Sequence, residues 1–187
     1  LNEIAYTHQL FGEYEKSIDY LDKVLKIDER NNLALDNIAW SYKKLKKYNM
    51  ALEYLTKSIP IKERTGDSNF AANEMIDVYF LNDDDEKAMA MGQLLIKDGK
   101  ANSRTYYIVG WNHVEKEKYD DAIIVLKESL RLEWDVLAVL ELGVCYQNKE
   151  MLDMAILYYE RGLVKKKKFR HTWLTNLGIC YYRRKEY

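Results

Sequence analysis

The chain is predicted to fold as an all-α solenoid of antiparallel helix hairpins, and three features of the sequence carry that prediction. Small residues recur in two series: Ala5, Ala39, Gly110, Gly143 and Gly178, and, twelve residues behind them, Ser17, Ala51, Ala88, Ala122 and Ala155. The second series advances in steps of 34, 37, 34 and 33 residues. Around each small residue, apolar side chains follow the i, i+3, i+4, i+7 spacing of one helix face. A unit of this length cannot bury its own apolar face and must borrow its neighbour's, which gives stacked hairpins.

Leu1 to Asp28 reads as the first hairpin, with Ala5 opposite Ser17, and Asn32 to Arg64 as the second, with Ala39 opposite Ala51. Pro60 falls late in that second helix, where its missing donor predicts a bend or a stop. Three extra residues fall around Thr65 to Asn69; Gly66 suits a helix C-terminus there, and Asp67 or Ser68 an N-cap. A local change in superhelical pitch is expected at this point. Phe70 to Asp98 is a weaker third copy, since Ile76 stands at the small position and Gly92 and Leu95 replace the usual bulky and small residues. Its crossing is expected to be wider or tilted.

Arg104 to Leu132 forms the fourth hairpin, with Gly110 opposite Ala122. The fifth, from 136 to 163, is the clearest. Val139, Leu142, Gly143 and Tyr146 make one stripe, Gln147 to Met151 a turn, and Leu152, Ala155, Ile156, Tyr159 and Leu163 a second stripe. Gly143 and Ala155 are read as small because the two helices cross there. Phe169 to Tyr187 supplies one further helix. The units run about 1–31, 32–68, 69–102, 103–135, 136–170 and, in part, 171–187, as one solenoid domain. Both ends fall within a unit, so a fragment of a longer chain is expected.

Val139, Leu142, Gly143, Tyr146, Ala155 and Tyr159, and likewise Leu35, Ile38, Ala39, Tyr42, Ala51 and Leu55, stand in the order of a W-x2-L-G-x2-Y…A-x3-F signature. On these residues the chain resembles the tetratricopeptide repeat family, over nearly its whole length. The closing proline of that pattern is missing, with Glu29, Glu63, Lys100, Trp134 and Lys167 in its place. The resemblance implies a right-handed superhelix and a protein-interaction scaffold, non-catalytic, whose first helices line a concave groove.

Helical spacing places Asp36, Trp40 and Lys43, then Asn73, Asp77 and Phe80, then Arg104, Tyr107 and Trp111 off the buried stripe of the first helices, with Tyr6 equivalent to Trp40. Large rings of this kind dominate binding hot spots; equally, they could pack between adjacent first helices. The surrounding charge, with Glu3, Asp36, Glu74, Asp77, Glu115 and Glu141 against Lys43, Lys44, Arg104 and Arg183, is slightly acidic. It suits a peptide or partner helix with apolar and basic residues. Tyr6 and Trp40 occupy the asparagine places of the clamp by which some family members hold chaperone C-terminal tails, and an aromatic ring cannot donate as an amide does. Chaperone tails are therefore not expected as ligands.

Two other functions stay open. Leu174, Leu177, Ile179, Tyr181 and Tyr182 could make the last helix a self-assembly face, and the fragment could be the regulatory arm of a larger signalling protein. An RNA-binding helical repeat needs a basic groove that these residues do not give. A net charge of −1 likewise gives no field for nucleic acid or anionic membrane.

No phosphate loop, nucleophile elbow or metal motif is present, so no catalytic residue, metal or cofactor is expected. Asp83 to Glu86 lacks the ligand spacing of a calcium loop and suits a helix start. Lys165 to Lys168 suits a helix C-terminus for the same electrostatic reason. His8 and His113 stand where other units have tyrosine and are read as packed core residues. Cys145 and Cys180 are read as buried thiols, and two cysteines make no secreted disulfide framework, so a cytoplasmic home is expected. The apolar runs fall far short of the ~18 residues a membrane span needs.

Overall fold

A computed structural model describes residues 1–65, 68–165 and 169–184, with the backbone alone for 62–65 and 68. Eleven helices are present among the described residues, paired as the sequence predicts. They are α1 (Asn2–Leu10) with α2 (Tyr14–Ile27), α3 (Asn32–Lys44) with α4 (Tyr48–Thr65), α5 (Ser68–Leu81) with α6 (Asp85–Lys97), α7 (Ser103–Glu115) with α8 (Tyr119–Leu132), α9 (Val136–Asn148) with α10 (Leu152–Lys165), and α11 (Arg170–Arg183). The helices form two compact units, Leu1–Met91 and Gly92–Tyr187, divided within α6.

Each hairpin turns by the same device. The residues at Gly12, Lys46, Asp83, Glu117 and Glu150 all have φ between 56° and 75°, the left-handed region. In the fifth hairpin the Glu150 N–H reaches back to the Gln147 carbonyl (3.2 Å) and the Met151 N–H to the Tyr146 carbonyl (2.9 Å). This pair of bonds satisfies the last carbonyls of the first helix and reverses the chain within three residues. The same pair recurs at His8 and Gln9, Tyr42 and Lys43, Tyr79 and Phe80, and His113 and Val114. Between hairpins, Asn31, Asn102 and Asp135 cap α3, α7 and α9 by accepting from the N–H groups of Ala34, Thr105 and Leu137 at 2.8–3.0 Å.

Packing within each unit follows the repeat. Helices α1 and α2, α3 and α4, α7 and α8, and α9 and α10 close on one another, and α2 packs on α3, α4 on α5, α8 on α9 and α10 on α11. Ala5, Ile18, Leu21, Ala34 and Ile38 make one buried cluster of the first unit, and Ala39, Ala51, Leu55, Ala71, Met75 and Val78 another.

Several expectations are corrected. At Gly143 the space that a side chain would need is filled by the Tyr159 ring of α10, on which a Cβ there would clash. Gly110 meets Leu126 in the same way, at 2.6 Å. The partner is thus the large residue one turn beyond the small one. Pro60 does not stop α4, which runs on to Thr65. Gly66 and Asp67 lie outside the described residues, as do Lys166 to Lys168. His8 is not a core residue; it is half-buried, with Nδ1 2.6 Å from Glu13 Oε2 and its ring stacked on Tyr20. His113 is also half-buried, and burial is the main cause that holds its pKa below the usual imidazole value.

Trp173 is a core residue whose role the repeat pattern obscures. It occupies the place held by Ala34, Ala71, Thr105 and Ala138 in earlier units, all fully buried. Room for it comes from Gly162, where a Cβ would sit 2.5 Å from the indole ring; the matching residues in the second and fourth hairpins are Ser58 and Ser129. One large ring and one glycine replace two small side chains. Cys145 and Cys180 are buried free thiols.

Candidate functional site

In the first unit, the face built by α1, α3 and α5 carries a groove of about 480 Å³. Tyr6, Leu10 and Phe70 open on it and are 56%, 67% and 53% exposed, while Trp40 is half-buried in its wall. Trp40 is held from two sides. Tyr14 meets it edge-on with ring centroids 5.6 Å apart, and the Lys44 ammonium lies 5.0 Å over its ring. Gln9, which is buried, ties α1 to α3 by donating to the Asn37 carbonyl (3.0 Å) and the Ser41 hydroxyl (2.9 Å). An unpaired buried amide would be costly, so these bonds fix the helix spacing that shapes the groove.

Lys43, expected to face a partner, is the centre of an ion-pair cluster joining α3 to α5. Its Nζ lies 2.5 Å from Glu74 and 3.2 Å from Asp77. Burial pulls the ammonium pKa down, but the bond and charge of Glu74, with Asp77 behind them, outweigh it and raise the value. Two carboxylates on one lysine leave Asp36 and Glu74 lining an edge that is acidic overall. Asn73 does not face outward: it is buried and donates to the Asn69 carbonyl at 2.6 Å. Phe80 is half-buried.

In the second unit, Tyr107 is 5% exposed and belongs to the core of α7 rather than to a surface. Arg104 lies over its ring at 5.1 Å, and burial, with the Glu141 charge next, raises its phenol to about 12. Trp111 is half-buried on the same helix. Glu141 on α9 has its carboxyl pushed up to about 7, first by burial and then by Glu115. On α11, Leu174, Ile179 and Tyr182 are exposed, but Leu177 is buried and Tyr181 is half-buried, donating to Glu160.

The residues that sequence reasoning missed are Gln9, Leu10 and Phe70. Leu10 and Phe70 sit at the end of one first helix and the start of another, where helical spacing gives no clear face. Among the described residues no group of histidine, cysteine and acidic side chains could hold a metal ion, and no helix is long and apolar enough to cross a membrane.

A profile of the family described as "Tetratricopeptide repeat" matches residues 1–31 and 34–65, the first two hairpins. The first two hairpins are tetratricopeptide repeats. The two matched repeats end within a few residues of α2 and α4, so the profile and the helix pairing agree on the unit. The protein named uncharacterized protein ycf37, of Guillardia theta, is 32% identical over 93 residues, 46% of this chain and 51% of its own length. The chain thus spans about half the length of that curated relative. Among solved structures, MamA superposes with a TM-score of 0.70 at 23% identity, over 90% of this chain and 97% of its own. YrrB, described as a tetratricopeptide repeat protein with an unusual peptide-binding site, gives 0.67 at 19%, over 88% and 84%. At these identities the likeness shows the fold: repeats of paired helices, here eleven among the described residues.

Proposed function

We propose that the chain is a non-catalytic interaction scaffold of tetratricopeptide repeats that takes a peptide or partner helix, carrying apolar and basic residues, on the face of its first helices. The observation that carries the reading is the groove of the first unit, where Tyr6, Leu10, Trp40 and Phe70 offer apolar surface beside Asp36 and Glu74. Rigid rings lose little conformational freedom on binding, which is why such residues anchor interfaces. In the second unit the Glu141 carboxyl would gain from a cationic side chain. Peptide binding by YrrB, as its description states it, supports the class of ligand. Buried free thiols at Cys145 and Cys180 fit work in a reducing compartment such as the cytoplasm.

The test begins with selection of short random peptides on the immobilised chain. Selected sequences are expected to combine an aromatic or aliphatic residue with lysine or arginine. Their affinity is then measured for the chain and for a Tyr6→Ala, Trp40→Ala double variant with an unchanged circular dichroism spectrum. Loss of two anchors of this kind weakens binding about tenfold or more. Equal affinity for both proteins would remove the groove from the account.

A further inference from the structure

A second groove lies on the opposite kind of surface, between the second helices α8 and α10 of the second unit. It encloses about 570 Å³, within the range of clefts that hold ligands. Lys127 and Arg131 stand one turn apart on α8, and Arg161 and Lys165 one turn apart on α10. Trp134, Leu157 and Val164 share the lining with them; Leu157 is 44% and Val164 83% exposed, and both stand within one turn of Arg161 on α10. The cations are held over rings, Lys165 at 4.7 Å from Trp134 and Arg161 at 5.9 Å from Tyr158, while Arg131 pairs with the neighbouring Glu128 on the surface. Glu160 is the acid in the lining, and it already accepts from the Tyr181 hydroxyl at 3.1 Å.

The first unit contains the same groove in the same register, between α2 and α4, with about 710 Å³. Counting from the small residues Ser17 and Ala122, Asp22 there stands at the place of Lys127, and Glu29 at the place of Trp134. Counting from Ala51 and Ala155, Ile61 stands at the place of Lys165. The cleft itself is therefore a product of the repeat. Lys26 and Lys57 hold the places of Arg131 and Arg161 in both registers, so those two cations belong to the repeat. What sets the second unit apart is that Lys127 and Trp134 replace the acids Asp22 and Glu29, and that Lys165 replaces Ile61, which leaves a lining of four cations and one acid.

We propose that the α8–α10 groove is a docking site for an acidic amphipathic segment of a partner protein, with apolar side chains on Trp134, Leu157 and Val164 and carboxylates along the two cationic rows. Charge complementarity selects this occupant: four cations beside exposed aliphatic surface match a segment that carries acids next to an apolar stripe. A cleft between helices suits a single chain better than a flat bilayer. A nucleic acid would need a longer cationic track than four side chains on a protein of net charge −1.

The test uses a fluorescein-labelled peptide with leucine at every third or fourth position and glutamate between, followed by fluorescence anisotropy. Saturable binding is expected, weakening as salt rises and falling about tenfold or more in a Lys127→Asp, Arg161→Asp double variant. Val164→Glu should weaken it independently. All three positions are exposed, and circular dichroism checks the fold of each variant. The Tyr6→Ala, Trp40→Ala variant should bind the acidic peptide as the unaltered chain does, which separates this site from the first-helix face. Equal binding by the charge-reversed variant, or equal binding of a peptide with lysine for glutamate, would overturn the proposal. So would failure of the acidic peptide to bind while phosphatidylserine vesicles or single-stranded RNA bind through the same residues.

Discussion

Glu141 is the side chain whose environment departs most usefully from what water would give it. Burial, with Glu115 adding repulsion, raises its folded pKa to about 7 from the ordinary 4.5. A carboxyl raised in this way favours the folded state most when it is protonated in both states, below about pH 4.5. That contribution is lost as pH climbs through about 7, and the displacement corresponds to up to about 3 kcal/mol. Thermal melts of Glu141→Gln are therefore expected to lose part of the fall in stability that the unaltered chain shows between pH 5 and pH 8, with the variant the more stable of the two at pH 8. Identical pH profiles would mean that the carboxyl is solvated after all. The Lys43 cluster teaches the complementary lesson. Lys43 and Asp77 stand 34 residues apart where the step between their units is 37, so Asp77 falls one turn before the place of Lys43, and opposite charges at neighbouring places on successive first helices were open to view in the sequence. Reading each helix separately assigned both to a partner, whereas their geometry joins them to one another.

The hairpin turn was visible in the sequence as a short polar gap between stripes, but its backbone was not, because glycine marks the left-handed position at Gly12 alone. Lys46, Asp83, Glu117 and Glu150 adopt it with a side chain present, at a steric cost of about 1 kcal/mol or more each. Glu117 is exposed, so removing its side chain sacrifices no packing. Glu117→Gly is expected to stabilise the second unit by about 0.5–1 kcal/mol, after allowing for the extra freedom of glycine in the unfolded chain. A denaturant midpoint that falls instead would show that Glu117 has a favourable role outweighing the strain. Of the bend or stop expected at Pro60, the stop does not occur. Its missing donor removes one bond from a helix, yet α4 continues past it, so local propensity was overridden. The number, order and pairing of the helices followed from the 34-residue period, whereas the reason for each small residue did not. Spacing shows that Gly143 must be small; only the placement of Tyr159 shows what fills the gap.

At the level of the molecule, the repeat supplies two kinds of surface, one from first helices and one from second helices, and the account gives them opposite chemistry. The aromatic and acidic character of the first-helix face was legible because Tyr6 and Trp40 recur in register. The grooves between second helices were not, since their rims draw on loop residues such as Trp134 and on helix ends such as Lys165, outside the stripes that periodicity detects. The most direct test of the central claim is a map of backbone amide chemical shifts on titration with a selected peptide rich in aromatic and basic residues. The account predicts that the shifts gather on the first helices α1, α3 and α5, around Tyr6, Trp40 and Glu74. Shifts gathered on α2 and α4, or on α8 and α10, would contradict it.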